Sequence, residues 1–294
     1  MKHNYLATLV AIISIISFSN HTFAQGGYMN FNVGYAFPLG GQTLTNETRY
    51  RAYDDFGDLT IGTNAYEQIS YSLGKGFNVG GALGYMFNEH IGAELGVSYL
   101  IGAESLSTYS NTEIDPFNSI PYSYAFESLI SSKMLRIIPS LVISAGGEKI
   151  KPYAKFGLVF GKGSVTIENS YQSSSSWDGI SFETEISKLS GGTALGLSSA
   201  LGASIKLSDK MSFFGEINMI NMSYAPTNGE LIEATSNGVN TLPLMTTAEI
   251  ETEFVDSYTI NNINNTNPFQ PSQELKQRLP FGSLGFNVGL KINF

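Results

Sequence analysis

The chain has no cysteine at any of its 294 positions, so neither disulfides nor thiolate metal centres can hold it together. Charge is also scarce. Only 14% of the residues are Asp, Glu, Lys or Arg, against about 25% in a typical soluble domain. Bases are the scarcer sign, 16 against 25 acids, giving a formal net charge of −9 that becomes −10 without Lys2. Such acidity disfavours nucleic acid as a partner. Beyond the N-terminal segment no run of about 18 apolar residues occurs, which excludes a transmembrane helix. The chain is rich instead in glycine, with 31 residues, and in aromatics, with 19 Phe and 16 Tyr. Composition alone leaves the class open, so it must come from pattern.

The N-terminus reads as a leader. Lys2 supplies a positive start, Leu6 to Phe18 an apolar run, and Thr22-Phe23-Ala24 a small-x-small site. This is the layout of a secretory signal peptide cleaved between Ala24 and Gln25. About 13 apolar residues fall short of the ~20 that a spanning helix needs. Residues 1–24 are therefore predicted to be a signal peptide and 25–294 one exported domain.

The mature region repeats one pattern eight times. Met29, Phe31, Val33, Tyr35 and Phe37 alternate with Asn30, Asn32, Gly34 and Ala36. The same period of two runs through Phe77–Phe87, Ile91–Gly102, Leu135–Ile143, Ala154–Gly161, Leu195–Leu207, Met211–Ala225 and Leu284–Phe294. Each is a strand with one apolar face and one polar or small face. The connections alternate between short turns (Asn88–His90, Gly146–Lys151, Ser208–Lys210) and long segments (about Pro38–Leu73, Ser105–Ser132, Tyr171–Ser187 and Thr227–Lys276). All short turns thus lie at one end and all long loops at the other.

The polar face carries Gly, Asn, Ser and a few charges, too few for a solvated surface. It reads as enclosed, and the apolar face as exposed to lipid. The predicted fold is all-β: a transmembrane antiparallel up-and-down β-barrel of eight strands, with short periplasmic turns and long extracellular loops. Closure removes the strand edges that hydrocarbon would not tolerate, and eight strands leave room for side chains but not for an open channel. Ten strands remain open if a long loop supplies another hairpin. Tyr35, Phe37, Tyr85, Phe87, Tyr99 and Tyr153 lie near strand ends, where interfacial aromatic girdles are expected.

With these segments in hand, the sequence resembles the small eight-stranded outer-membrane β-barrel proteins of the OmpA/OmpX type from Bacteroidetes-type bacteria, most clearly in Gly84 to Gly102, GYMFNEHIGAELGVSYLIG. The resemblance implies a bacterial outer-membrane location. It also implies recognition of the last strand by the outer-membrane assembly machinery, through Leu290, Ile292 and Phe294. Since nothing follows Phe294, the peptidoglycan-binding domain of larger relatives is expected to be absent.

Inward positions carry Glu94, Arg136, Lys155, Lys206, Glu216 and Lys291. All but Arg136 sit near the short-turn end of their strands, which predicts one enclosed ion-pair network, because an unpaired buried charge costs several kcal/mol. Lumen filling is the favoured reading over a gate. Enzymes on barrels of this size use a histidine base; His3 and His21 belong to the leader, and His90 falls in a short turn. No catalytic residue, metal site or cofactor is therefore expected.

The Asp54–Asp58 acidic cluster lacks EF-hand spacing. Asn46-Glu47-Thr48 and Asn264-Asn265-Thr266 fit N-x-[ST], which is short enough to arise by chance, and Ser173–Ser176 reads as a loop tip. Glu230, Glu233, Glu249, Glu251, Glu253 and Asp256 follow one another without an intervening base, as in a solvated loop. TAEIETEFVDSYTI is a candidate to prolong strands seven and eight, and YSYAFESLI to prolong strand four. The expected function is non-enzymatic: a filled barrel embedded among outer-membrane lipid and lipopolysaccharide, whose loops serve adhesion, contact with a host or cell-surface ligand, or envelope integrity. The alternatives are a narrow pore for small or hydrophobic solutes and a lipid A modifying enzyme.

Overall fold

A computed structural model describes residues 26–39, 43–54, 59–114, 121–175, 179–259 and 267–294. The predicted leader with its Ala24–Gln25 cleavage site, most of the Asp54–Asp58 cluster, Asn264–Thr266 and Ser176 lie outside the described residues. In chain order, β1 (Gly26–Pro38) is followed by the hairpin β2 (Thr43–Tyr53) and β3 (Leu59–Ser70), then β4 (Gly76–Met86), β5 (Ile91–Gly102), β6 (Ser105–Ile114), β7 (Pro121–Ser144) and β8 (Ile150–Ser175). Next come β9 (Gly179–Ser190), β10 (Ala194–Lys206), β11 (Met211–Tyr224), β12 (Asn228–Ser236), β13 (Val239–Asn240), β14 (Glu251–Val255), β15 (Ser272–Leu275), β16 (Leu279–Pro280) and β17 (Ser283–Asn293).

Eight of these strands form a closed ring of antiparallel neighbours: β1, β4, β5, β7, β8, β10, β11 and β17. Tyr28 opposite Asn293 through Pro38 opposite Ser283 closes the circle. The β2–β3 hairpin stands outside the ring, which decides for eight strands over ten. Because the side-chain period is two, one register fixes every face. Phe31, Leu83, Leu201 and Ile217 point outward and are 57%, 64%, 68% and 62% exposed. An apolar belt of this extent far exceeds what a soluble monomer leaves in water, and it marks a bilayer-facing surface.

The outer part of the molecule is more ordered than alternation alone suggested. β7 and β8 have 24 and 26 residues, where crossing a bilayer takes about 9–11. At about 3.3 Å per residue, β8 would span roughly 85 Å if fully extended, so its outer half stands clear of the membrane. Tyr122–Ile130, the YSYAFESLI segment, is that outer half of β7. Ser173–Ser175 belong to β8 and pair with β9, with Ser173 opposite Ser181, and do not form a loose tip. Together the outer strands build an open curved wall in the order β3–β2–β6–β7–β8–β9–β12–β14–β15.

TAEIETEFVDSYTI departs from expectation. Its described part forms a one-turn helix (Thr247–Ile250) and β14, which pairs with β12 and β15, not with β11 or β17. The ladder of β11 ends at Tyr224, two residues before the fully buried Pro226. Proline has no N–H to donate, so the chain leaves the ring there and resumes as β12 beside β9.

The apolar core sits inside the outer mouth of the ring. Leu100, Met134, Val159, Val165, Ile220, Met222 and Tyr224 point inward from the strands, and Tyr71, Leu73 and Phe281 are folded in from the connections before β4 and β17. Backbone bonds stitch those connections across the mouth: Leu73 N–H to Pro280 O at 2.9 Å, and Phe281 N–H to Met222 O at 3.0 Å. The Tyr224 hydroxyl faces the carbonyls of Gly163 at 2.9 Å and Gly191 at 2.5 Å. Tyr224→Phe should lower stability by about 1–3 kcal/mol, since it strips that donor from the mouth; the unfolding midpoint in urea measures this, and an unchanged midpoint would assign the mouth's stability to packing alone.

Candidate functional site

Beneath the apolar plug the lumen turns polar, and three charges meet. Lys155 on β8 lies 2.9 Å from Glu94 Oε1 on β5 and 3.1 Å from Glu216 Oε2 on β11. Their neighbours complete the arrangement. Glu94 Oε2 accepts from the Tyr28 hydroxyl at 2.9 Å and from Asn30 Nδ2 at 3.0 Å. Glu216 accepts from the Tyr153 hydroxyl at 3.0 Å and from Asn287 Nδ2 at 3.1 Å. Every carboxylate oxygen is thus engaged, as burial demands.

Inward glycines make this fit possible. A Cβ on Gly84 would lie 2.1 Å from the Tyr28 ring, and one on Gly202 would lie 2.6 Å from the Tyr153 ring. Each glycine is a seat for a tyrosine that reaches across to a carboxylate. Gly84→Val should therefore displace Tyr28 and cost about 1–3 kcal/mol; the shift in urea midpoint should shrink in a Tyr28→Ala background, and a full additive loss would refute the seat.

Arg136, Lys206 and Lys291 do not join the triad as expected. Arg136 is buried one level closer to the plug and bonds to Ser98 Oγ at 3.1 Å and to Asn78 Oδ1. A polar cavity of about 70 Å³, walled by Arg136, Glu94, Glu216 and Asn287 among others, separates it from the triad. The triad carries one net negative charge and Arg136 one positive, so the buried block is neutral as a whole. Lys206 stands at the rim and binds Asp209 at 2.7 Å, which holds that carboxyl below its usual range. A rim lysine three residues from a turn aspartate finds its partner locally and stays hydrated. Lys291 lies 3.6 Å over the Tyr28 ring, a cation–π contact.

Tyr153 is a second correction. It was expected in the interfacial girdle, yet it points into the lumen, because it shares parity with Lys155. Counting by two from Asn30 and Lys155 would have found both Tyr28 and Tyr153. Tyr35 packs edge-on against Phe37 at 5.1 Å and Phe77 at 4.9 Å, and Tyr85 stands 5.8 Å from Phe87; with Tyr99 these lie on the outward face.

At the short-turn mouth the lumen opens into a vestibule of about 510 Å³, whose floor is Glu94, Lys155, Tyr28 and Tyr153. Lys291, Lys151, Phe214 and Phe294 line its walls. In the neighbouring turn, His90 Nδ1 lies 3.0 Å from the Ser144 carbonyl oxygen. Phe294 is tied by its N–H to Gly27 O at 2.9 Å, while Leu290 and Ile292 pair with Phe31 and Met29.

A closed antiparallel ring, an apolar outer belt and a polar, charge-paired interior define an integral membrane β-barrel. The family model described as outer membrane protein beta-barrel domain matches residues 7–241, and the chain belongs to that family and to the bacterial outer membrane. No curated protein matches the chain significantly. Among solved structures it is similar to Ail, the attachment invasion locus protein of Yersinia pestis, at 11% identity over 92% of this chain and 99% of that one, with a TM-score of 0.29. It is also similar to the outer membrane protease OmpT of Escherichia coli, at 12% identity over 94% and 100%, with a TM-score of 0.26.

Proposed function

We propose that this barrel is a non-enzymatic, non-conducting contact protein that acts through its extracellular wall. The observation that carries the reading is one free edge of that wall, the long strand β3. β3 is paired on one side only among the described residues, its twelve residues are almost all exposed, and Leu59, Ile61 and Tyr66 stand 56%, 55% and 62% exposed. An unprotected edge with unpaired backbone groups is a template for an incoming strand. It suits adhesion to a host protein or another cell. Replacing residues 43–70 by a short turn should abolish adhesion of producing cells to epithelial monolayers and to one another, while the heat-modifiable barrel and its surface level persist. Undiminished adhesion would overturn the reading.

The closed lumen supports the same view. The apolar plug and the neutral charge block lie in series, so planar bilayers containing the purified barrel should show no steady conductance. A stable open channel abolished by repacking at Glu94 would favour the pore instead. His90 braces a turn at the short-turn end, at the opposite end of β4 and β5 from the outer loops, which supports a non-catalytic part for it; a lipid A change seen by mass spectrometry and lost in His90→Ala would reinstate the enzyme.

The same proposal takes residues 1–24 as the cleaved leader and outer-membrane lipid and lipopolysaccharide as the belt's surroundings. It assigns Leu290, Ile292 and Phe294 to recognition by the assembly machinery. Deleting Phe294 should reduce insertion far more than it weakens the folded barrel; an unchanged surface level would count against that assignment.

A further inference from the structure

We propose that the vestibule at the periplasmic mouth binds a small organic carboxylate, held by Lys291 and Lys151. The inference is independent of the extracellular reading, since the plug separates the two ends. It starts from which charges are already satisfied. Glu94, Glu216, Lys155 and Arg136 cancel one another, and both carboxylates have their oxygens engaged by Lys155, Tyr28, Asn30, Tyr153 and Asn287. The acids therefore have little left to offer a ligand.

The two lysines that face the vestibule are different. Among the described residues neither Lys291 nor Lys151 has a carboxylate within ion-pair distance, and Lys291 is held only by the Tyr28 ring. Lys151 shares the inward parity of Tyr153 and Lys155, and stands opposite the buried Ser204. Other charges at this end are taken or peripheral. Asp209 is occupied by Lys206, while Glu89 and Glu148 also line the vestibule but sit exposed on its turns, where water screens them. The inner wall thus presents two ammonium groups without a carboxylate partner above a charge-paired floor.

The remaining lining is apolar in part, with Met86, Val142 and Phe214 on the walls. A volume of about 510 Å³ falls within the roughly 300–1,000 Å³ of small-molecule pockets. Charge selects an anion, and the apolar walls select one with a hydrophobic body. Because the plug closes the outer end, the ligand enters from the periplasm.

The test uses the purified full chain in a zwitterionic detergent, with benzoate, acetate and benzylammonium as probes, followed by calorimetry and by amide NMR shifts. Benzoate should bind saturably, with shifts confined to the turns around Asn88, Glu148 and Asp209. Acetate should bind about tenfold more weakly, and benzylammonium not at all. Loss of a charge-assisted contact in Lys291→Met should weaken benzoate by about tenfold or more, and Lys151→Gln should weaken it in the same direction. Lys151 lies at the exposed rim, so that variant tests the site even if Lys291→Met does not fold. Equal binding of benzoate and benzylammonium overturns the proposal, as do equal binding of acetate, wild-type affinity in the folded lysine variants, or shifts located in the extracellular wall.

Discussion

Replacing Lys155 by methionine should destabilise the barrel by about 3–5 kcal/mol, because it leaves two buried carboxylates facing each other without their shared cation. The two ion-pair distances, 2.9 and 3.1 Å, and side chains only 8–14% exposed place all three groups beyond effective screening by water. The loss should appear as a lower urea midpoint for the heat-modifiable form. Adding Glu94→Gln and Glu216→Gln to the same chain should recover most of it, since the amides still meet Tyr28, Tyr153 and the asparagines without charge. A triple variant as weak as Lys155→Met would mean that lysine packing, and not charge, holds the lumen.

Phe281→Ala should cost a comparable amount, about 3–5 kcal/mol, by emptying the centre of the plug. Phe281 is 1% exposed and meets the Tyr224 ring edge-on at 5.8 Å. Its backbone also carries the bond to Met222 that anchors the β16–β17 connection, and that bond is retained in the variant. The same urea titration reads the loss, and conductance should stay absent because the charge block below remains intact. A stable variant that conducts would show that the plug, and not the triad, is the seal.

These two layers were not equally legible in the chain. The eight dyads gave the ring, its lipid face and its turn-and-loop alternation, because a period of two is imposed by the strand itself and every ring neighbour repeats it. Glu94, Lys155 and Glu216 were visible as inward charges near one level. Their partners Tyr28 and Asn287 were not, since Tyr28 reaches Glu94 over the intervening strand β4 and Asn287 faces Glu216 from the neighbouring β17, 66 and 71 positions away in the chain. Tyr153 leaves the girdle for a local reason: its parity, shared with Lys155, sets its direction, and nearness to a strand end does not. Leu100, Met134 and Ile220 sat on the small-residue face as exceptions to the alternation, and only their convergence with Tyr71, Leu73 and Phe281 makes them a plug.

The outer wall marks the limit more sharply. Nothing in the acidic run from Glu230 to Asp256 distinguishes a solvated loop from strands, because the partner strands β9 and β15 that organise it come from other parts of the chain. The sequence by itself determined that this protein is a closed barrel with a greasy exterior, because alternation and closure follow from backbone geometry and from the need to pair every backbone group in hydrocarbon. The tertiary structure alone decided which inward charges meet, which lysines are left without a carboxylate partner and which strands end the outer wall with a free edge, because those outcomes depend on the stagger between strands, which no local pattern records.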